Sequence, residues 1–268
     1  MVENNFITAE EYLKHCYQVP TLPSLPLADE NFVSDWREVE KFDAIKFLEN
    51  LCGTKFNFDW QNVDAIKISF IQTLAGKLPT IYSENHADFE ALASFLSGKS
   101  EIKKLPETVN AFTIPAKIRG VRHKVILLNK ASYSNISADK LNLDAEDWLK
   151  KSAVIRRRHE SAHYETLRLF GGMKNHALDE ILADAVGQVA AFGNFSANRQ
   201  RIFFGLNNGI CNGRLNFYVQ KVLPDDREKI YRAVDNVLDK IESEISNCAE
   251  LEIICKVAAK SIDYLSKH

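Results

Sequence analysis

The strongest constraint on the fold of this chain is a pair of long helical segments joined by two glycines. Residues 144–170 predict one helix, with Asp144 as its N-cap and acidic residues in its first turn. Gly171 and Gly172 end this helix, because glycine readily adopts the left-handed conformation that closes a helix. Residues 176–192 predict a second helix directly afterwards. The short turn predicts that the two helices are antiparallel and in close contact.

Two segments before the helix pair predict a small β-sheet. Residues 108–114 and 124–128 are rich in β-branched and apolar residues, and a proline and a glycine lie between them. This is the strongest strand signal in the sequence. The spacing of apolar residues elsewhere predicts helices, including one over residues 34–52 and one over residues 63–75. We therefore expect an α+β fold that is predominantly α-helical.

The same patterns suggest how the chain is divided. We expect an N-terminal helical region over residues 1–105 and a second region over residues 106–268. Within the second region we expect the small sheet over 106–130, the helix pair over 144–193 and C-terminal helices over 224–267. The alternative is one compact domain that includes both regions.

Composition and charge exclude some classes of protein. The formal net charge is −2, whereas a general nucleic-acid binder usually carries a basic excess. We find neither an N-terminal signal peptide nor an apolar stretch of the length that spans a membrane. The five cysteines are scattered and form no CxxC motif, which favours reduced thiols. We therefore expect a cytoplasmic protein.

The first helix of the pair contains an HExxH motif, His159-Glu160-Ser161-Ala162-His163. Residues four positions apart lie on one face of a helix, so both imidazoles can reach one ion at Zn–N distances of about 2.0–2.1 Å. Glu160 lies beside the same face, where it can hold a water molecule and accept its proton.

The second helix offers further ligands. Asn175 is the expected N-cap, and Glu180 can supply the third protein ligand that a catalytic zinc ion requires. Asp184 lies one turn further on the same face, where it can accept the other N–H group of a histidine ligand. Asp179 and His176 are alternative third ligands.

The two motifs together resemble the gluzincin signature HExxH…ExxAD, which is typical of thermolysin-like zinc peptidases. The resemblance implies that His159, His163 and Glu180 bind one Zn²⁺, that Glu160 is the general base and that Asp184 supports a histidine ligand. It also implies a gluzincin-like core in which a small sheet or hairpin precedes the active-site helix, so residues 106–268 would be the metallopeptidase-like region. Sixteen residues separate His163 from Glu180, fewer than in many gluzincins.

A second resemblance lies upstream. Asn110-Ala111-Phe112 on a predicted strand is similar to the NAF strand that precedes HExxH in some compact gluzincins. The resemblance implies that these three residues bind substrate by pairing with an extended peptide at the edge of the sheet. The alternative is that the apolar residues of this strand belong to the core.

A hydrolase of this type also needs groups that stabilise the developing oxyanion. Arg214 and Tyr218 are candidates, because they are four residues apart and so share one face of a helix. The alternative is an ordinary packing pair.

The leading hypothesis is a zinc-dependent hydrolase, specifically a metallopeptidase that cleaves peptide or amide bonds in a peptide or protein substrate. A regulatory or binding protein that keeps a gluzincin-like metal site is the alternative. A helical interaction protein without metal is a third hypothesis. Glu160 favours the enzyme, because a structural zinc site needs no general base. The sequence does not indicate the oligomeric state.

Overall fold

The protein has an α+β fold that divides by its internal contacts into two units. The computed structural model describes residues 6–39, 43–99, 101–173 and 176–267. One unit comprises residues 23–131, and the other combines residues 1–22 with residues 132–268. This grouping differs from the expected division after residue 105, since the whole sheet lies in one unit and the first 22 residues join the helical unit.

The unit of residues 23–131 is built on a four-stranded sheet. Its strands are β1 (Lys67–Thr73), β2 (Gly76–Ser83), β3 (Ala111–Ile118) and β4 (Val121–Asn129). Their order is β1-β2-β4-β3, with β2 and β4 parallel and the other pairs antiparallel. The predicted hairpin of residues 108–114 and 124–128 is therefore confirmed, and β3 lies at an edge of the sheet.

Two helix predictions in this unit were wrong. Residues 67–73 form strand β1 instead of the helix predicted over 63–75. Gly76, directly after the predicted helix, is the hairpin residue with φ +95° that starts β2. The helix predicted over 34–52 is a short 3-10 helix, Asn31–Trp36, followed by a separate helix, α2 (Ala44–Cys52). The side chain of Asp43 accepts a hydrogen bond from the Lys46 amide and so begins α2.

The core of this unit lies under the sheet. Helix α3 (His86–Leu96) packs on β3 and β4, and Phe89 meets Phe112 edge to face at 5.5 Å between ring centroids. Leu78, Ile81 and Phe89 are completely buried. Inward-facing apolar residues on one face of a sheet need such a cover, which explains why α3 lies there.

The other unit is mainly helical. Its helices are α1 (Ala9–Lys14), α4 (Ala145–Phe170), α5 (Ala177–Phe192), α6 (Ala197–Phe204), α7 (Leu215–Tyr218), α8 (Arg227–Ile245), α9 (Glu250–Ala258) and α10 (Ile262–Lys267). A two-stranded ribbon, β5 (Leu206–Asn207) with β6 (Ile210–Cys211), follows α6. The predicted helix pair is confirmed, with Asp144 as N-cap of α4 and Gly171 as its C-cap.

Helix α5 is the centre of this unit. Every residue from 177 to 188 is buried, and α5 packs against both α4 and α9. A helix that is buried all round is normally apolar, yet α5 carries the carboxylates of Asp179, Glu180 and Asp184. Buried carboxylates are costly unless cationic or hydrogen-bonding groups face them. Their partners therefore define the candidate site.

A glycine allows α4 and α5 to approach closely. A Cβ atom at Gly187 would lie 2.9 Å from the backbone oxygen of Ile155 and 3.0 Å from its Cγ2 atom. One turn after Ile155 on α4, His159 faces Asp184 of α5, and one turn after that His163 faces Glu180. Residue numbers in these pairs increase along α4 and decrease along α5, so the two helices are antiparallel.

Within the part of the chain that the structure describes, no helix is both long enough and apolar enough to cross a membrane.

Candidate metal centre

Three side chains on α4 and α5 bring their ligand atoms together. One ligand atom from each of His159, His163 and Glu180 lies within 4.8 Å of the others. The two histidine Nε2 atoms are 3.0 Å apart. The Glu180 carboxylate oxygens lie 3.5 Å from Nε2 of His159 and 3.6 Å from Nε2 of His163. The structure therefore assembles the three residues that the sequence predicts as ligands.

These distances can be compared with those of a metal site. Ligand atoms about 2.0–2.2 Å from one zinc ion, at tetrahedral angles, are separated from each other by roughly 3.3–3.5 Å. The separations of 3.0, 3.5 and 3.6 Å lie close to that range. Oε2 of Glu180 is also buried without a hydrogen-bond partner among the described residues. This oxygen lies near His159, and the other oxygen of the same carboxylate lies near His163, an arrangement that fits a cation between the three groups.

His159 is oriented by Asp184, a completely buried carboxylate. Nδ1 of His159 is 2.8 Å from Oδ1 of Asp184, so that nitrogen carries the proton and Nε2 faces the centre. The Tyr133 hydroxyl also donates to Oδ1, while Gln200 Nε2, at 2.6 Å, and the Arg214 guanidinium donate to Oδ2. Burial alone would raise the pKa of Asp184, but Arg214 and these hydrogen bonds hold it below its usual range.

His163 is oriented by the neighbouring carboxylate of Asp179. Nδ1 of His163 is 2.9 Å from Oδ2 of Asp179, and the hydroxyl of Tyr17 donates to Oδ1. Burial alone would lower the pKa of this imidazole. The charge of Asp179, helped by Glu180 and Glu160, outweighs burial and raises the pKa of His163 to about 10. In the metal-free protein the imidazolium donates from both nitrogens, and its Nε2 proton points to Nε2 of His159.

Glu160 follows His159 directly on α4 and is half-buried. Its charge contributes to the raised pKa of His163, which indicates that its carboxylate lies near that side of the centre. It does not belong to the group of ligand atoms within 4.8 Å of one another. A carboxylate that lies beside a metal ion without binding it would be suited to accept a proton.

The alternative third ligands are engaged elsewhere. Asp179 makes its contacts with His163 and Tyr17. The ring of His176 stacks on Tyr12 with centroids 4.0 Å apart, and its Nδ1 accepts a hydrogen bond from the Leu178 amide. Burial lowers the pKa of His176 to about 4, so it is a neutral helix cap. The predicted cap, Asn175, lies outside the described residues.

Arg214 and Tyr218 both reach the centre. Arg214 donates to Asp184 and, at 2.7 Å, to the Tyr133 hydroxyl. Two of its nitrogens therefore bind the two groups that contact Nδ1 of His159. Tyr218 is hydrogen-bonded to the Glu180 carboxylate, and burial raises the pKa of its hydroxyl well above the usual value. The hydroxyl therefore stays protonated beside a candidate ligand. Contact of either residue with an oxyanion stays a prediction.

The upstream NAF residues lie in the other unit. Ala111 and Phe112 begin the edge strand β3, and Asn110 directly precedes it. The side chain of Asn110 is buried, and its Oδ1 accepts a hydrogen bond from Asn129 at 2.8 Å. Phe112 packs on Phe89 in the core of that unit. The predicted pairing with a substrate peptide stays a prediction.

Sequence reasoning missed several residues of the centre. Tyr133, Gln200 and Tyr17 contact its carboxylates, but they come from distant segments with no fixed spacing to the HExxH motif. Gly187 could have been found, because an isolated glycine inside a helical pattern indicates a close approach of neighbouring backbone.

Comparison with known proteins identifies a family but no function. The chain matches neither a curated protein nor a solved structure. A model of a protein family described as "Family of unknown function (DUF7005)" matches residues 114–254, just over half of the chain. The matched segment includes the candidate ligands as well as Arg214 and Tyr218 but begins after Phe112. The chain therefore belongs to DUF7005, a family of unknown function.

Proposed function

We propose that this protein is a zinc-dependent hydrolase with a gluzincin-like centre that cleaves peptide or amide bonds. The observation that carries the proposal is the convergence of His159, His163 and Glu180 within 4.8 Å. Oε2 of Glu180 lies 3.5 Å from Nε2 of His159 and has no hydrogen-bond partner among the described residues. The spacing of the two motifs, HExxH and ExxAD, provides the second support.

The ligand set agrees with the chemistry of zinc. Two neutral imidazoles and one carboxylate form a three-ligand set that catalytic zinc sites use, with one position left for water or substrate. Nδ1 of each imidazole contacts a carboxylate, that of Asp184 or Asp179. In a neutral imidazole this contact keeps the proton on Nδ1 and leaves Nε2 free to bind a metal ion. A zinc ion in such a site polarises a substrate carbonyl and lowers the pKa of a coordinated water to about 7.

The roles of the other residues follow from their positions. The Glu160 carboxylate accepts a proton from the attacking water and passes it to the leaving amine. The Tyr218 hydroxyl, protonated beside Glu180, donates a hydrogen bond to the developing oxyanion. Arg214 keeps Asp184 ionised and so holds His159 in orientation.

Metal content provides the first test. We expect about one zinc ion per chain in protein purified without added metal, measured by mass spectrometry of the metal, and strong loss in His159→Ala and His163→Ala. His86→Ala is the matched control, because His86 lies on α3 in the other unit. Equal metal content in all four proteins would eliminate the site.

Turnover is tested separately from metal binding. A peptide library should be cleaved by the wild type, and Glu160→Gln should lose roughly 10²–10⁴-fold in rate while it retains metal. Glu146→Gln is the control on the same helix, since the Glu146 side chain forms an exposed ion pair with Lys150. Full zinc occupancy without cleavage by the wild type would instead favour a metal-binding protein without turnover.

A further inference from the structure

The N-terminal segment of the chain is fastened to the helical unit beside the candidate metal centre. We call residues 6–17 the N-terminal brace. Near its start, the Ile7 amide donates to the Lys221 carbonyl at 2.9 Å, and the Leu223 amide donates to the Ile7 carbonyl at 3.1 Å. At its end, the Tyr17 amide donates to the Ala258 carbonyl at 3.1 Å. The brace is therefore held at both ends by backbone hydrogen bonds.

The middle of the brace caps helix α5. The Tyr12 hydroxyl accepts a hydrogen bond from the Ala177 amide at 2.7 Å and donates to the Tyr218 carbonyl at 3.1 Å. The first amide groups of a helix have no partner within the helix, so this contact satisfies one of them. His176 donates from Nε2 to the Tyr12 carbonyl at 2.9 Å. Glu180 lies in the same first turn, which Tyr12 thereby fixes.

The end of the brace reaches the carboxylate that orients His163. Tyr17 and Asp179 are both 5% exposed, and the Tyr17 hydroxyl donates to Oδ1 of Asp179. The other oxygen, Oδ2, contacts Nδ1 of His163 at 2.9 Å. Thr166 also donates to Oδ1, but at the longer distance of 3.4 Å. Tyr17 is therefore the closest hydroxyl partner of Asp179 among the described residues.

We propose that the N-terminal brace controls how tightly the candidate centre retains its metal ion, with Tyr17 as a positioning residue that acts through Asp179. Without the Tyr17 hydroxyl, Oδ1 keeps the longer contact with Thr166, so the carboxylate and the His163 imidazole turn more freely. The inference rests on the proposed function, because it takes His163 to be a ligand. The brace itself precedes residues 114–254, the segment that the family model matches, whereas Asp179 and His163 lie within it.

Zinc affinity measured by competition with a coloured chelator tests the inference. Replacing a residue that orients a ligand typically weakens metal binding by about 10–100-fold. We expect Asp179→Asn to fall in that range and Tyr17→Phe, one step further from the ion, to weaken binding by about tenfold. Tyr231→Phe is the matched control, since it removes a hydroxyl that donates to Asn216, which is not a candidate ligand, at 2.5 Å. Circular dichroism of the metal-free proteins verifies that each is folded.

A double-variant cycle identifies the route of the effect. If Tyr17 acts through Asp179, Tyr17→Phe should add no further loss in an Asp179→Asn background. An equal additional loss there would overturn the route through Asp179. Wild-type zinc affinity in folded Tyr17→Phe would overturn the role of Tyr17.

A second variant keeps the test decisive if Tyr17→Phe does not fold. Tyr12→Phe releases the Ala177 amide at the start of α5, so we expect it to weaken zinc binding by a few-fold to about tenfold. Unchanged affinity in this variant would overturn control by the brace. If the wild type binds zinc no better than His159→Ala, the proposed function itself fails and the inference with it. Tight binding that is equal in all brace variants refutes the inference alone.

Discussion

The two histidines of the centre are supported by carboxylates in different surroundings. Asp184, behind His159, is completely buried and receives hydrogen bonds from Tyr133, Gln200 and the charged Arg214. Asp179, behind His163, lies in the first turn of α5, and its additional donors are the neutral hydroxyls of Tyr17 and Thr166. Besides its histidine, Asp184 therefore faces a second cation, Arg214, whereas the further donors to Asp179 are neutral hydroxyls.

The different partners of Asp184 and Asp179 predict that some substitutions change the stability of the fold and others change mainly metal binding. An unpaired charge inside a protein costs several kcal/mol, whereas a lost neutral hydrogen bond costs about 1 kcal/mol. Changes at the Asp184 end should therefore affect the fold itself. Removal of a neutral hydroxyl that donates to Asp179, such as that of Tyr17, should leave the fold intact and affect the orientation of His163. Each prediction below tests one part of this division.

The largest expected effect is at Arg214. Arg214→Met removes the cation that faces Asp184, whose carboxylate is then left buried without a compensating charge. We expect the free energy of unfolding of the metal-free protein to fall by about 3–5 kcal/mol, the usual cost of breaking a buried ion pair on one side. Urea unfolding at pH 7 measures it.

An exposed arginine provides the control for that prediction. Arg232 pairs with Glu228 on α8, and both side chains are more than 70% exposed. Arg232→Met should change stability by about 0–1 kcal/mol, because exposed ion pairs contribute little. If the two arginine variants lose equal stability, the ion pair at Asp184 does not anchor the centre.

The sequence predicted the helices of the centre for a physical reason. Asp144 and Gly171 are local signals, since an N-cap side chain and a left-handed glycine act on their own helix ends. The short turn between α4 and α5 then leaves few ways to pack them. His159 and His163 consequently meet α5 as the motif spacing predicts.

Other features depend on contacts that no local pattern encodes. Tyr133 and Gln200 reach Asp184 from segments 51 and 16 residues away in sequence. The apolar residues of strand β1 also suit the spacing of a helix, and a glycine with positive φ ends a helix as readily as it forms a hairpin. The pairing of β1 with β2 decides between a helix and a strand here, and strand pairing depends on tertiary contacts.

A substitution at Gly187 tests whether the close approach of α4 and α5 holds His159 and Asp184 in contact. Alanine is normally favoured over glycine inside a helix by about 0.5–1 kcal/mol. Gly187→Ala should instead destabilise the protein and lower the free energy of unfolding by about 3 kcal/mol, since the new Cβ would lie 2.9 Å from the Ile155 backbone oxygen. Zinc affinity should fall as well, because the helices must separate.

The reference for this prediction lies on the same helix. Ala190 is exposed on α5, so Ala190→Gly gives the intrinsic preference for alanine without a packing effect. A gain of stability in Gly187→Ala equal to the loss in Ala190→Gly would show that the close approach to Ile155 costs nothing.

The smallest expected effect is at the Asp179 end, where His176 caps α5 as a neutral imidazole. Burial, helped by the nearby His15, lowers the pKa of His176 to about 4 against the opposing effects of the Tyr12 carbonyl and Asp179. An unfolded histidine titrates near about 6.5. Between these values the unfolded chain binds more protons, so stability must fall as the pH falls through this window. We expect a loss of about 1–2 kcal/mol between pH 7 and pH 5 from this residue. His176→Asn, which can still cap the helix, should lose less stability over that range than the wild type in urea unfolding at each pH. If the wild type and the variant instead have parallel pH profiles, His176 does not cap α5 as a neutral imidazole, and the first turn that carries Asp179 is not held by neutral groups alone.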